Sequence, residues 1–156
     1  MQPSENDNKT KSGRFYRRPW FWETIVFFLV CWQESVRLSL RTSHATLPVG
    51  KVLQDFYYYN FGDFVNGYIM AFIFDGLANM FALRKPPHTL AVGKFTIRQK
   101  PVAIAAALLS ALIIVIFEIG SSSAFTTADL ADIPAGVAGA FFYLCVRFTM
   151  LKILGN

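Results

Sequence analysis

Residues 101–117 read PVAIAAALLSALIIVIF, an apolar run without a single charge. A membrane helix needs roughly 20 predominantly apolar residues to cross a hydrocarbon core about 30 Å thick. Extended to Gly120, this run reaches that length. It is too long for a strand and shows no alternation, so an outer-membrane barrel pattern is excluded. Working outward, three more segments share its character, at about 20–36, 62–83 and 133–151. The expected fold is therefore all-α: an integral membrane four-helix bundle with spans at about 20–36, 62–83, 101–120 and 133–151. Residues 1–19 form a basic tail before it and residues 152–156 a short tail after it.

Composition agrees. The chain is 54% hydrophobic and 16% charged, with sixteen Phe among its 156 residues. Soluble domains sit near 45–50% apolar and about 25% charged. A core of this size cannot bury the surplus, and lipid is the solvent that can take it. A soluble enzyme, a secreted disulfide scaffold and a disordered regulator are all poor fits. Two cysteines at no metal spacing supply neither a zinc site nor a disulfide framework. Cys31 and Cys145 fall in or near apolar segments and are expected to be reduced and inert.

Lys and Arg concentrate in cytoplasmic loops. With the N-terminus inside, the inner side receives Lys9, Lys11, Arg14, Arg17, Arg18, Arg84, Lys85, Lys94, Arg98, Lys100, Arg147 and Lys152. The outer side receives only Arg37, Arg41 and Lys51. This twelve-to-three division gives an N-in, C-in orientation. The net charge of +5 is then an address signal, and anionic inner-leaflet lipids are its natural partner. No nucleic-acid motif accompanies the charge, so nucleic acid is not a partner on this reading. Arg17-Arg18 before an apolar run resembles a secretion signal. However, Glu23 and Glu34 flank a short apolar core, and Ser43-His44-Ala45 lies far downstream of it, so cleavage is not expected. Trp20, Phe21 and Trp22 read as an interfacial belt at the inner end. The 37–61 connection, with Pro48, Gly50 and the run Phe56–Tyr59, reads as a longer outer loop.

Ionisable residues within a membrane tend to face protein or water. Glu34 and Arg37 lie at the outer end of span one, and Asp63 and Asn66 open span two. Glu118 ends span three, and Asp129 and Asp132 open span four. These residues converge on the outer face as a candidate ligand-binding site. The plainer reading is that Asp63, Asp129 and Asp132 favour helix N-termini, where the dipole suits an anion. Glu118 does not fit that reading, because it sits at a helix C-terminus. Glu34 and Arg37, three apart, can pair on one face. Deeper, Asp75 and Arg147 each lie about 20 Å from the outer ends of their spans at about 1.5 Å per residue. Similar depth allows an intramembrane ion pair. The alternative has Arg147 snorkelling inward and Asp75 bonding Asn79.

Small residues mark packing faces. Ala103, Ala105, Ala106, Ala107, Ser110 and Ala111 do so in span three, and Ala131, Ala135, Gly136, Gly139 and Ala140 in span four. Spans three and four are expected to form a close antiparallel hairpin. The aromatic spans one and two are expected to face lipid.

Recognisable catalytic motifs are lacking. His44 and His88 stand alone, and neither a nucleophile elbow nor a phosphate loop is present. Asp129-x-x-Asp132 resembles the start of a phospho-alcohol transferase motif, but Ile133-Pro134-Ala135-Gly136 follows where that motif needs further acids. No cofactor or metal is implied, although Asp129 and Asp132 with Glu118 have the chemistry for Mg²⁺.

Phe117-Glu118, then Ala128-Asp129-Leu130-Ala131-Asp132-Ile133, then Ala135-Gly136-Val137-Ala138-Gly139-Ala140 resembles the C-terminal hairpin of the VanZ-like family. In that family a Glu ends one span, a short loop leads to Asp-x-x-Asp, and a glycine-rich span follows. Gly62-Asp63-Phe64 is a looser echo. The chain departs from the pattern where Gln usually follows the Glu, and at Pro134. The resemblance implies a small bacterial inner-membrane protein of the cell envelope, in a family named for antibiotic resistance. It implies Glu118, Asp129 and Asp132 as signature positions, and no reaction. The leading functional expectation is non-enzymatic: binding or organising a lipid, a glycopeptide-like ligand or a membrane partner at the outer acidic face, with a homo-oligomer or a membrane-protein partner as the protein partners that this reading allows. The alternatives are a metal-dependent enzyme acting on a lipid headgroup and a small transporter subunit.

Overall fold

Pro19 opens the first helix, α1 (Pro19–Thr42), with its φ already set for helix and no N–H to leave unpaired. The computed structural model describes residues 19–82, 89–92, 95–120 and 132–154. α1 runs past the expected span to Thr42 and closes on itself. Ala45 N–H donates to the Leu40 carbonyl at 3.1 Å and His44 N–H to that of Arg41 at 3.2 Å. His44 sits at φ 52° to make this closure, a position that ordinarily takes glycine. Hydroxyls along α1 fold back onto their own helix: Thr24 Oγ1 donates to the Trp20 carbonyl at 2.8 Å and Thr42 Oγ1 to that of Leu38 at 2.8 Å.

The expected outer loop is largely helical. α2 (Lys51–Asp55) leads into a π-helical turn (Phe56–Asn60) and then α3 (Phe61–Ala82). Asp55, Phe56 and Phe61 all keep right-handed helical dihedrals, so the three pieces form one continuous rod. The reason is visible in the sequence. Gly50 is extended at the start, and no Gly or Pro interrupts residues 51–61.

Among the described residues the expected all-α architecture holds, with one short hairpin added between the second and third long helices. β1 (Thr89–Val92) pairs antiparallel with β2 (Phe95–Arg98), with Thr89 opposite Arg98 and Val92 opposite Phe95. Pro86 and Pro87 cannot continue a helix. Two residues separate the strands in sequence, the commonest hairpin length. α4 (Gln99–Gly120) and α5 (Asp132–Leu154) complete the described chain. Pro134 falls in the first turn of α5, where its missing N–H costs nothing. At about 1.5 Å per residue the four long helices are each about 33–36 Å in length.

α3, α4 and α5 pack on one another, and α1 lies against α3 and α5. Tyr68 and Ala71 of α3, Ala103 and Ala107 of α4, and Ala140 and Tyr143 of α5 form the buried core. Phe27 of α1 stacks on Phe72, with ring centroids 4.5 Å apart. The tightest approach joins α3 and α5 rather than α4 and α5. A Cβ placed on Gly67 would overlap the Gly136 carbonyl, and one on Gly139 would overlap that of Phe64. α3 therefore does not simply face lipid. Its Gly67 and Ala71, four residues apart among aromatics, are its packing stripe. Ser110 Oγ donates to the Gly67 carbonyl at 3.1 Å and ties α4 to the same place. Ala135, Gly136, Gly139 and Ala140 are buried as expected of packing residues, whereas Ala131 lies outside the described residues.

The outward surface is apolar. Leu108, Leu112, Ile116 and Ile119 of α4 are exposed, opposite the buried Ala103, Ala106, Ala107 and Ser110. Large residues outside and small residues inside reverse the pattern of a helix in water. Among the described residues, α4 and α5 are the two helices long and apolar enough to cross a membrane. α1 and α3 match them in length, and α1 carries more polar side chains than either.

Candidate functional site

Polar side chains gather at two levels of the helical core. Asp63 in the first turn of α3, Glu118 in the last turn of α4 and Asp132 at the start of α5 meet at one end. Their ligating oxygens all lie within 4.8 Å of one another, and each residue is half-buried. α3 and α5 begin at this end and α4 finishes there, so the antiparallel course of the chain assembles the cluster. Asn60, at the end of the π turn, donates Nδ2 to Asp132 Oδ1 at 3.1 Å. Among the described residues, no basic side chain forms an ion pair with Asp63 or Asp132. Three carboxylates from three helices offer hard oxygen ligands of the kind that suit Mg²⁺ or Ca²⁺, or an ammonium group.

Glu34 and Arg37 lie beside this cluster in a different role. Arg37 Nε donates to Glu34 Oε2 at 2.8 Å, Nη2 to Oε1 at 2.5 Å, and Nη1 to the Tyr58 carbonyl at 2.6 Å. Tyr58 in turn donates its hydroxyl to the Ala45 carbonyl at 2.6 Å. Arg37 is buried and committed on all three nitrogens, so it joins α1 to the π turn. Gly62 makes room for it: a Cβ there would come within 3.0 Å of Nη2. Asn66 is exposed and is not part of the cluster. Asp129 lies outside the described residues. A separate open cleft of about 700 Å³, lined by Arg41, His44, Gln54 and Tyr59 among others, lies between the end of α1 and the π turn.

The second level lies toward the other end. Arg147 Nη1 donates to both Glu23 oxygens, at 2.7 and 2.8 Å. Its Nε lies 3.0 Å from Asp75 Oδ2. The N–H there points off the line to the oxygen, so the contact is ionic and Nε makes no hydrogen bond. Asn79 Nδ2 donates to Asp75 Oδ1 at 2.9 Å, and the Tyr143 hydroxyl donates to Asp75 Oδ2. Both expected partners of Asp75, Arg147 and Asn79, are therefore present together. Arg147 is only 5% exposed and does not snorkel.

Glu23 is the residue that the sequence reading missed. It stands next to Trp22 near the start of α1 and reads as a charge at the end of a span. Its partner is 124 positions away. Tyr68 and Tyr143 were hidden among the aromatic residues, and Asn60 in the supposed loop. Cys31 is half-buried, but Cys145 faces outward rather than into the core. Comparison with known proteins finds no matching family model, no matching curated protein and no matching solved structure.

Proposed function

We propose that this chain is a small integral membrane protein, a four-helix bundle with both termini inside, whose outer carboxylate cluster binds a cationic group. The observation that carries this reading is the meeting of Asp63, Glu118 and Asp132 from three separate helices. Like charges are costly to gather unless a proton or another positive group is held between them. The bilayer reading is supported by the apolar exterior. Only 28% and 22% of the apolar stretches of α4 and α5 are buried, unlike the core helices of a soluble protein. The twelve-to-three division of basic residues supports the orientation. Two of the cluster residues, Glu118 and Asp132, are also positions through which the chain resembles the VanZ-like family.

The cationic group belongs to a divalent ion, a lipid headgroup or a ligand at the envelope surface of a bacterial inner membrane. Metal-dependent chemistry on a headgroup is the second reading, favoured by the oxygen spacing of the same cluster. Binding of Mn²⁺ to the full chain in phosphatidylcholine vesicles, followed by electron paramagnetic resonance, tests the first step. Binding should fall at least tenfold in Asp63→Asn/Glu118→Gln/Asp132→Asn with membrane insertion intact. Equal binding by that variant would remove the site. A wild-type chain that binds no Mn²⁺ but retains a cationic lipid would redirect it to headgroups.

A further inference from the structure

The charges around Arg147 do not balance. Glu23 and Asp75 are two carboxylates facing one guanidinium, with side chains 6%, 2% and 6% exposed. Fully ionised, the group carries one net negative charge. Among the described residues no second basic side chain reaches either acid. An uncompensated buried carboxylate takes up a proton rather than remain charged.

The donors decide which acid takes it. Asp75 accepts hydrogen bonds from Asn79 and Tyr143 and faces Arg147 Nε. Glu23 has only the single nitrogen Nη1, shared between its two oxygens. Asp75 is the better-stabilised anion. Two buried polar atoms here make no hydrogen bond, Arg147 Nε, which keeps its ionic contact with Asp75, and the Tyr68 hydroxyl. Tyr68 lies within electrostatic reach of Glu23 and of Cys31. A hydroxyl oxygen can accept a hydrogen bond as well as donate one, so Tyr68 adds an unsatisfied acceptor to the surroundings of Glu23.

We infer that this group is a proton-binding site: the core holds one proton on Glu23, surrounded by Asp75 and Tyr68 of α3 and Tyr143 and Arg147 of α5. The site uses none of the outer carboxylates, which lie about 18 Å away along α3 at about 1.5 Å per residue.

Infrared spectroscopy of the full chain in phosphatidylcholine vesicles at neutral pH reads this directly. A protonated carboxylic acid gives a C=O band separate from that of carboxylates. The band should be present in the wild type and shift when Glu carboxyls carry carbon-13, but not when Asp carboxyls do. It should be absent in Glu23→Gln and retained in Glu118→Gln. Asp75→Asn removes one negative charge and should also abolish it, because Glu23 then balances Arg147 alone. Arg147→Gln should roughly double it. If Glu23→Gln does not fold, labelled wild type and Asp75→Asn still decide the matter. A wild type without the band, a band moved only by the Asp label, or full amplitude in a folded Glu23→Gln would each overturn the inference.

Discussion

Arg147 is the residue on which the lower half of the core turns. It holds α1 through Glu23 and α3 through Asp75, so its loss leaves two acids with no cation. Removing one partner of a buried ionic group costs about 3–5 kcal/mol. Arg147→Gln should lose that much in denaturant unfolding monitored by helical circular dichroism. Arg147→Lys should recover only part, since a single ammonium cannot serve two acids on opposite sides as a planar guanidinium does. His44 offers the opposite change. A non-glycine residue in the left-handed region costs roughly 1–2 kcal/mol, so His44→Gly should raise the unfolding midpoint. At this scale the sequence was partly legible. Depth along the helices drew attention to Asp75 and Arg147, because both are conspicuous within apolar runs. Glu23 was not legible, because a charge one turn inside a helix start looks the same whether it meets solvent or a partner 124 positions away.

At the level of elements, the four long helices follow from length and hydropathy, and α3, α4 and α5 begin and end within a few residues of the runs that predict them, while α1 continues to Thr42. The connections were less readable. A run of Tyr and Phe carries neither breaker nor periodicity, so residues 51–61 read as a loop although nothing in them stops a helix. Which faces meet was also obscured. α5 displays its small residues openly, but the partner stripe in α3 is Gly67 and Ala71 alone. Two glycines of the chain separate these effects. Gly139→Leu should push α3 and α5 apart and cost roughly 1–3 kcal/mol or more, as overpacking does. Gly76→Ala meets nothing within 4 Å and should leave stability unchanged or raise it by up to ~1 kcal/mol. Unfolding of the two variants side by side checks the contrast.

For the whole molecule, the up-and-down course of the helices puts Pro19 and Leu154 at the end near Glu23 and Arg147. Asp63, Glu118 and Asp132 occupy the other end. In intact cells, a membrane-impermeant amine reagent should label Lys51 and spare Lys152; the reverse pattern would invert the orientation. The π-helical turn at Phe56–Asn60 links these scales. It admits one residue more than an α-helix would and so works as an angular offset between two lengths of one rod. Deleting the exposed Tyr59 would return that turn to α geometry and swing residues 51–58 about 100° around the axis of α3. The Tyr58 carbonyl would leave Arg37, and the Tyr58 hydroxyl would leave Ala45. That one extra residue acts as a phase setting, keeping this end of the molecule in step with the helix it continues.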